Sequence, residues 1–436
     1  MMQVNNFKPN LHEPDPNKTF LESAARRERA ETLSLKFLRL TWRILANSKT
    51  RLILILALIS LAAQCNAPPT PPLPSPPTDP AIHVALLVPS TGEMATFGRM
   101  ARNGSMMAFD EWNNRGGIRG QRLEWTVYDT DCNFESGRQA AQKAVAAGHR
   151  FIVGPLCSGA AIGAATVAES SGVLLISPAA PHPLVTVDGQ GYTRPMVFRA
   201  CYVSSWQAKA MARFAAETLK AKKAALLSNP GDDYSAALAD TFSLQFAAQG
   251  GQIVYQGNFS PGDSDLADTL TAIHQAGAEV IYLPANPATV NRVTAALKRL
   301  ELLSPTQPGL TLLGSDSWES PQLDLAATTG SYFTTHFALS DDRPLAQTWL
   351  KTYKATYAVE PNTLAVLGYD AANLLAAAMT QAGFFEPGAV AKVLEQGQFD
   401  GVTGSINFDT QHNPLKPVPL VYIDHDRIIF LTSILP

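Results

Sequence analysis

The chain is 436 residues long, 16% charged and 46% hydrophobic, with 31 prolines, 29 glycines and four cysteines; that is too long for one core of ordinary size and predicts two domains or lobes behind a tail. The composition excludes collagen, a wholly disordered chain and a polytopic membrane protein. The formal charge of −3 is uneven: residues 1–51 hold ten Lys/Arg and five Asp/Glu, which leaves −8 on the remainder, the wrong balance for nucleic-acid binding, where clustered Lys/Arg must displace counterions from phosphate.

Leu52 to Ala63 is an uncharged run of twelve residues behind Lys49 and Arg51. It is too short for the roughly 20 residues that span a bilayer and fits the apolar core of a secretory signal. Two origins are open for the residues before it: a start site placed too far upstream, or a retained anchor with basic residues 1–51 in the cytoplasm. Leu61-Ala62-Ala63-Gln64-Cys65 resembles a bacterial lipoprotein cleavage box, although Gln64 stands where Gly, Ala or Ser is usual. Cys65 is therefore a lipidation candidate beside plain cleavage or retention. Residues 1–67 form the extension and signal or anchor segment. Residues 68–80 hold eight prolines in thirteen, an extended polyproline spacer, so folding is expected to begin near Ala81.

Ile82–Val88 predicts a strand running into the loop Pro89-Ser90-Thr91-Gly92, and residues 99–114 predict a helix with Met100, Met107, Phe109 and Trp112 on its apolar side, stopped by Gly116-Gly117. Strand, helix, strand follow at 123–129, 137–147 and 151–153, then a helix at 160–170, a strand at 174–176 and a helix at 206–219. A second round has strands at 224–227, 253–257, 280–283 and 310–313 with helices at 236–249, 266–275 and 290–300. Such alternation predicts α/β architecture with doubly wound parallel sheets covered on both faces, and its repetition over about 120 residues predicts two lobes. In open parallel sheets ligands sit beyond the carboxyl ends of the strands. The loops there, Gly154 to Ser158, Ser177-Pro178-Ala179, Asn229 to Tyr234 and Gly314 to Trp318, are rich in Ser, Gly and Pro.

The same loops carry a resemblance. Pro89-Ser90-Thr91-Gly92, Phe97-Gly98, Asn103-Gly104, Asn114 to Gly120, Gly154-Pro155-Leu156-Cys157-Ser158, Ser177-Pro178-Ala179-Ala180, Phe198-Arg199, Asp233-Tyr234, Gly314-Ser315-Asp316 and Val402 to Asp409 resemble, in the same order, bacterial leucine/isoleucine/valine-binding proteins of ABC transporters. The resemblance runs from about residue 82 to 430. It implies a type I periplasmic-binding fold, with a ligand clamped between two lobes joined by three hinge crossings. It divides the body into 82–203 plus 339–415 for lobe 1 and 204–338 plus 416–436 for lobe 2. It also implies a disulfide between Cys132 and Cys157, an oxidising compartment being supplied by export; two unpaired buried thiols are the alternative, and Cys201 has no evident partner.

In that family an amino acid fills the cleft. Ser158, before the helix from Ala160, would bind its carboxylate together with helix N–H groups, or would act only as a cap. Asp316 and the Ala179 carbonyl would hold its ammonium, unless Asp316 closes an Asx-turn. Phe97, Tyr234 and Trp318 match aromatic cleft positions, and each is equally a core position. Pro181 departs from the pattern, since relatives have a Thr there whose N–H and hydroxyl both serve the ligand and proline has neither; the segment around Asn286 also lacks a Tyr. Catalytic motifs and zinc spacings are missing, no cofactor is expected, and Asp129 with Asp131 makes only a weak metal pair. The expectation is an exported, tethered solute receptor delivering a small amphipathic ligand, an amino acid, to an ABC permease. The rival is a membrane-tethered ligand-sensing domain of a signalling protein.

Overall fold

β1 (Ile82–Val88) is buried at every position but His83, the signature of a strand covered on both faces. In the computed structural model, which describes residues 81–92, 94–260, 266–302 and 310–435, β1 lies between β2 (Leu123–Asp129) and β3 (Phe151–Val153), parallel to both. β4 (Leu174–Ser177) and β5 (Val197–Arg199) extend this sheet in the order β2-β1-β3-β4-β5, all parallel. The crossovers are α1 (Ala95–Asn114), α2 (Phe134–Ala146) and α3 (Ser158–Ser171). Asn133 caps α2 by accepting the Ser136 N–H, and Gly172 ends α3 in the left-handed conformation that favours glycine. The apolar segment Leu52 to Ala63, Cys65 and the proline-rich spacer lie outside the described residues.

The second sheet has the order β14-β13-β10-β9-β8-β6-β7. α4 (Ser204–Arg213) continues into one π-helical turn at Phe214–Thr218 and leads to β6 (Lys223–Ser228). α5 (Asp233–Ala248), β7 (Gln252–Asn258), α6 (Ala267–Gln275), β8 (Val280–Tyr282), α7 (Pro287–Arg299), β9 (Thr311–Gly314) and β10 (Tyr332–Thr334) complete its parallel part. The chain then forms α8 (Pro344–Tyr357), α9 (Thr363–Ala382), α10 (Pro387–Gln396) and the short pair β11 (Phe399–Gly401) and β12 (Gly404–Ile406). It closes with β13 (Val418–Asp424) and β14 (Arg427–Ile434), β13 antiparallel to both β10 and β14.

Side chains from β1, β3 and β4 share one core with Leu374, Leu375 and Met379 of α9 and Val390 and Leu394 of α10. Strands β8, β9 and β13 pack instead with α6 and α7 around Trp318. α9 lies against α1 at glycine contacts: a Cβ on Gly368 would come within 2.2 Å of the Ala101 carbonyl oxygen, and one on Gly104 within 1.9 Å of that of Ala365. α9 is long and apolar enough to cross a membrane, yet 72% of its apolar window is buried in the protein, which makes it a core helix.

Three connections join the two sheets: Ala200–Val203 after β5, Thr335–Arg343 after β10, and residues 407–417 between β12 and β13. Lys416 ties two of them together, its buried Nζ donating to the Ala200 carbonyl (2.7 Å) and to Thr403 Oγ1 (3.0 Å). Asp370 accepts the Val402 and Thr403 N–H groups at 2.7 and 3.0 Å. Burial lowers the Lys416 ammonium to about 8, against the pull of the Asp370 charge. Cys132 and Cys157 form a disulfide with Cα atoms 5.0 Å apart, and buried Cys201 is a free thiol whose pKa burial raises to about 11.

Candidate functional site

On the first lobe, the wall is the N-terminus of α3. Cys157 occupies the N-cap position without a side-chain cap bond, so the first-turn N–H groups have no intrahelical acceptor. Ser158 opens the helix, and its Oγ accepts the His182 N–H at 3.4 Å. The facing loop, Ala179 to Pro183, is fixed from beneath by Arg199, which is fully buried. Its guanidinium donates to the carbonyls of Ala180 (2.7 Å), His182 (2.9 Å) and Pro183 (3.3 Å) and to Thr186 Oγ1 (2.9 Å). Pro181 sits in this braced loop. Asp129, at the end of β2, holds the neighbouring Ser90-Thr91 loop by accepting the Ser90 N–H and the Thr91 hydroxyl.

The second-lobe wall is the start of α5 and the 3-10 turn Asp316–Trp318 after β9. Asp232 caps α5 by accepting the Tyr234 N–H, and the Tyr234 hydroxyl donates to Asp316 Oδ1. Gln207 of α4 donates to the same oxygen at 2.9 Å and, through its Oε1, accepts the Asp316 N–H (2.9 Å) and the Thr334 hydroxyl (2.7 Å). His336 Nε2 lies 3.2 Å from Asp316 Oδ2. Burial pushes the Asp316 carboxyl up, but the bonds from His336, Tyr234 and Gln207 outweigh it and hold the group below the ordinary carboxylate range. The Asp316 side chain keeps 21% exposure. Glu319, just past the turn, accepts hydroxyl bonds from Thr335 and from Thr363 at the start of α9, and burial raises its pKa.

The two walls meet in a cavity of about 510 Å³ lined by Ser158, Pro181, His182, Asp233, Tyr234 and Leu238, with Val203 of the first connection among its other walls. Ser158 and Tyr234 thus face one space, and Asp316 is one hydrogen bond behind Tyr234. Ala179, like Asp316, is not among the lining residues, and two more expected residues fall elsewhere. Trp318 has 0% exposure, packs among Leu283, Leu312 and Phe333, and donates Nε1–H to the Leu283 carbonyl at 3.0 Å. An indole so enclosed is a core residue, and the role of ligand wall is withdrawn for it. Phe97 stands 39% exposed on the first turn of α1 and is not among the residues lining that cavity. Asn286 caps α7 through the Thr289 N–H. Gln207 and His336 were invisible to sequence reasoning: one is a polar residue inside a helix, the other a lone histidine after a three-residue strand.

Comparison with known proteins gives a consistent set of likenesses. The profile of the periplasmic binding protein family matches residues 81–427. The leucine-, isoleucine-, valine-, threonine- and alanine-binding protein of Pseudomonas aeruginosa is 28% identical over 336 residues, 75% of this chain and 86% of that relative. The Leu/Ile/Val-binding protein BraC3 of Rhizobium johnstonii is 30% identical over 320 residues, 73% of this chain and 84% of that relative. The crystal structure of the branched-chain amino acid transporter substrate binding protein LivJ of Streptococcus pneumoniae, in complex with isoleucine, superposes with a TM-score of 0.68 at 26% identity and covers 82% of this chain and all of that one.

Proposed function

Because the chain belongs to the periplasmic binding protein family, whose members bind solutes rather than catalyse reactions, we propose that it is the extracytoplasmic receptor of an ABC importer and that its ligand is an amino acid with an apolar side chain. The ligand carboxylate sits at the uncapped N-terminus of α3 beside Ser158, where N–H groups and the helix dipole favour an anion. Its ammonium meets Asp316 and the Ala179 carbonyl. The body of the ligand packs against Pro181, Val203, Leu238 and the ring of Tyr234. Closure of the lobes over the ligand then presents the docking surface to the permease.

The observation that supports this reading is that one cavity joins Ser158, at the N-terminus of α3 that has no side-chain cap, to Tyr234, whose hydroxyl donates to the partly exposed Asp316 carboxylate; a helix N-terminus suits an anion and a carboxylate suits a cation, the two charges of an α-amino acid. Pro181 removes one donor and one hydroxyl from the carboxylate side, so Asp316 carries a larger share of recognition. Mass spectrometry of small molecules released on denaturing the purified protein tests the proposal. It should recover a compound bearing both a carboxylate and a cationic nitrogen, and a bound ligand without nitrogen would replace the amino acid with another solute.

Tethering through Cys65, or through the apolar segment Leu52 to Ala63, belongs to the same proposal. The charge of the residues before that segment favours the second reading, a sensory domain with a cytoplasmic N-terminus. Sequencing the mature N-terminus separates them: a chain starting at a lipid-modified Cys65 is the importer receptor, and one retaining residues 1–51 is the sensor.

A further inference from the structure

His336 is 6% exposed and lies on the connection after β10. Its ring stacks on Tyr202 of the first connection, centroids 3.8 Å apart and planes 30° from parallel. Nε2 faces Asp316 Oδ2, while the buried Nδ1 has no hydrogen-bond partner. In the neutral imidazole Nε2 carries the proton toward Asp316 and Nδ1 is bare. In the imidazolium, Nδ1–H would be a buried donor without an acceptor, which is costly.

We propose that His336 is a positioning residue that shares Asp316 with the cationic end of the ligand, so that a proton on His336 and an ammonium in the cleft compete for one carboxylate. This rests on the amino-acid reading given above. A neutral His336 leaves the full negative charge of Asp316 to the ligand; a protonated His336 neutralises it from within. Proton and ligand are then linked reciprocally: acid weakens ligand binding, and ligand binding expels the proton.

The groups facing this pair are Tyr202, Tyr234, Tyr282, Cys201, Glu319 and, from the third connection, Lys416; burial raises Tyr282 well above its usual range. Burial keeps Tyr202, Tyr234 and Cys201 protonated well above neutral pH. Lys416 remains cationic below about 8. Burial lowers the His336 imidazole, against the pull of Asp316 and with the help of Lys416, so the neutral form is favoured and the proton is taken up below the ordinary histidine range. Glu319, raised by burial, and His182, which lines the cavity and is lowered by burial, also titrate on the acid side, and the test has to separate both from His336.

The test is calorimetric titration of the purified chain with L-leucine, whose own groups do not titrate between about pH 5 and 7.5, at both ends of that window. Wild-type affinity is expected to fall about threefold or more from the neutral to the acid end, with net proton release on binding at acid pH when buffers of different ionisation enthalpy are compared. In His336→Gln, which retains an N–H donor but cannot titrate, the ratio of the two affinities should approach one whatever its absolute affinity. A smaller wild-type fall, proton uptake instead of release, or an equal fall in His336→Gln overturns the inference; the last would assign the effect to another group, such as His182 or Glu319. Binding at neutral pH with a flat profile sinks this inference alone, whereas no leucine binding at either pH, with no amino acid among the molecules released on denaturing the protein, sinks the amino-acid reading and this inference with it.

Discussion

An ionised carboxylate offers about four acceptor positions, and Asp316 uses three: Gln207 and Tyr234 on Oδ1 and His336 on Oδ2. A ligand ammonium can therefore add a charged hydrogen bond at Oδ2 without evicting a protein donor. Truncating one partner of such a desolvated pair typically costs about 2–5 kcal/mol, or roughly 30- to several-thousand-fold in Kd; Asp316→Ala should lose that much affinity for the amino acid, as read by calorimetry. Two residues along the chain the consequence differs in kind. Trp318 fills the second-lobe core, where a Cβ on Gly314 would lie 2.3 Å from its ring, so Trp318→Ala should destabilise the fold by about 3–5 kcal/mol. Differential scanning calorimetry should show a lower Tm with ligand preference unchanged. In the sequence, both residues stand in one Gly-Ser-Asp-Ser-Trp loop, and nothing in spacing tells which faces the cleft. A 3-10 turn points Asp316 and Trp318 to opposite destinations, and only the packing reveals it. His336 and Gln207 were illegible for a related reason: their significance is the partner they touch, more than 15 residues away in the chain.

At the scale of elements, the strands and helices up to β9, apart from β5, were legible because each is covered on a consistent face and punctuated by glycine, proline or a polar cap, as with Gly172 after α3 and Asn133 before α2. Beyond β9 the sequence shows motifs but no periodic elements. α9 is buried around most of its circumference, which erases the 3.6-residue alternation on which a helix is recognised. β5 and β10 are three residues each and include a polar residue, Arg199 and Thr334, whereas the equally short β3 and β8 read as uninterrupted apolar runs. β13 and β14 break the parallel pattern with an antiparallel hairpin. The α1–α9 contact is the sharpest consequence of this region, because Gly368 leaves no room for a methyl group against the Ala101 carbonyl. Gly368→Ala should force these helices apart and destabilise by about 1–3 kcal/mol, as for other overpacked sites, measurable by urea denaturation.

For the molecule as a whole, the ligand elements are divided between two sheets, and the three connections between them are themselves bound together. Lys416 reaches from the third to the carbonyl of Ala200 in the first, and His336 of the second stacks on Tyr202 of the first. Glu319 joins the Asp316 turn to the start of α9. The residues expected to feel the ligand cation are therefore in contact with the segments that must bend when the lobes close, which gives closure a route by which to depend on ligand charge. Recognition of a zwitterion by this cleft is proposed to run through Asp316. Its most direct test is paired calorimetry of wild-type protein with L-leucine and with 4-methylpentanoate, the same skeleton without the amine. Leucine should bind, and the deaminated acid should bind at least about 30-fold more weakly, the lower bound for losing one partner of the Asp316 pair. Equal or tighter binding of 4-methylpentanoate would contradict the account.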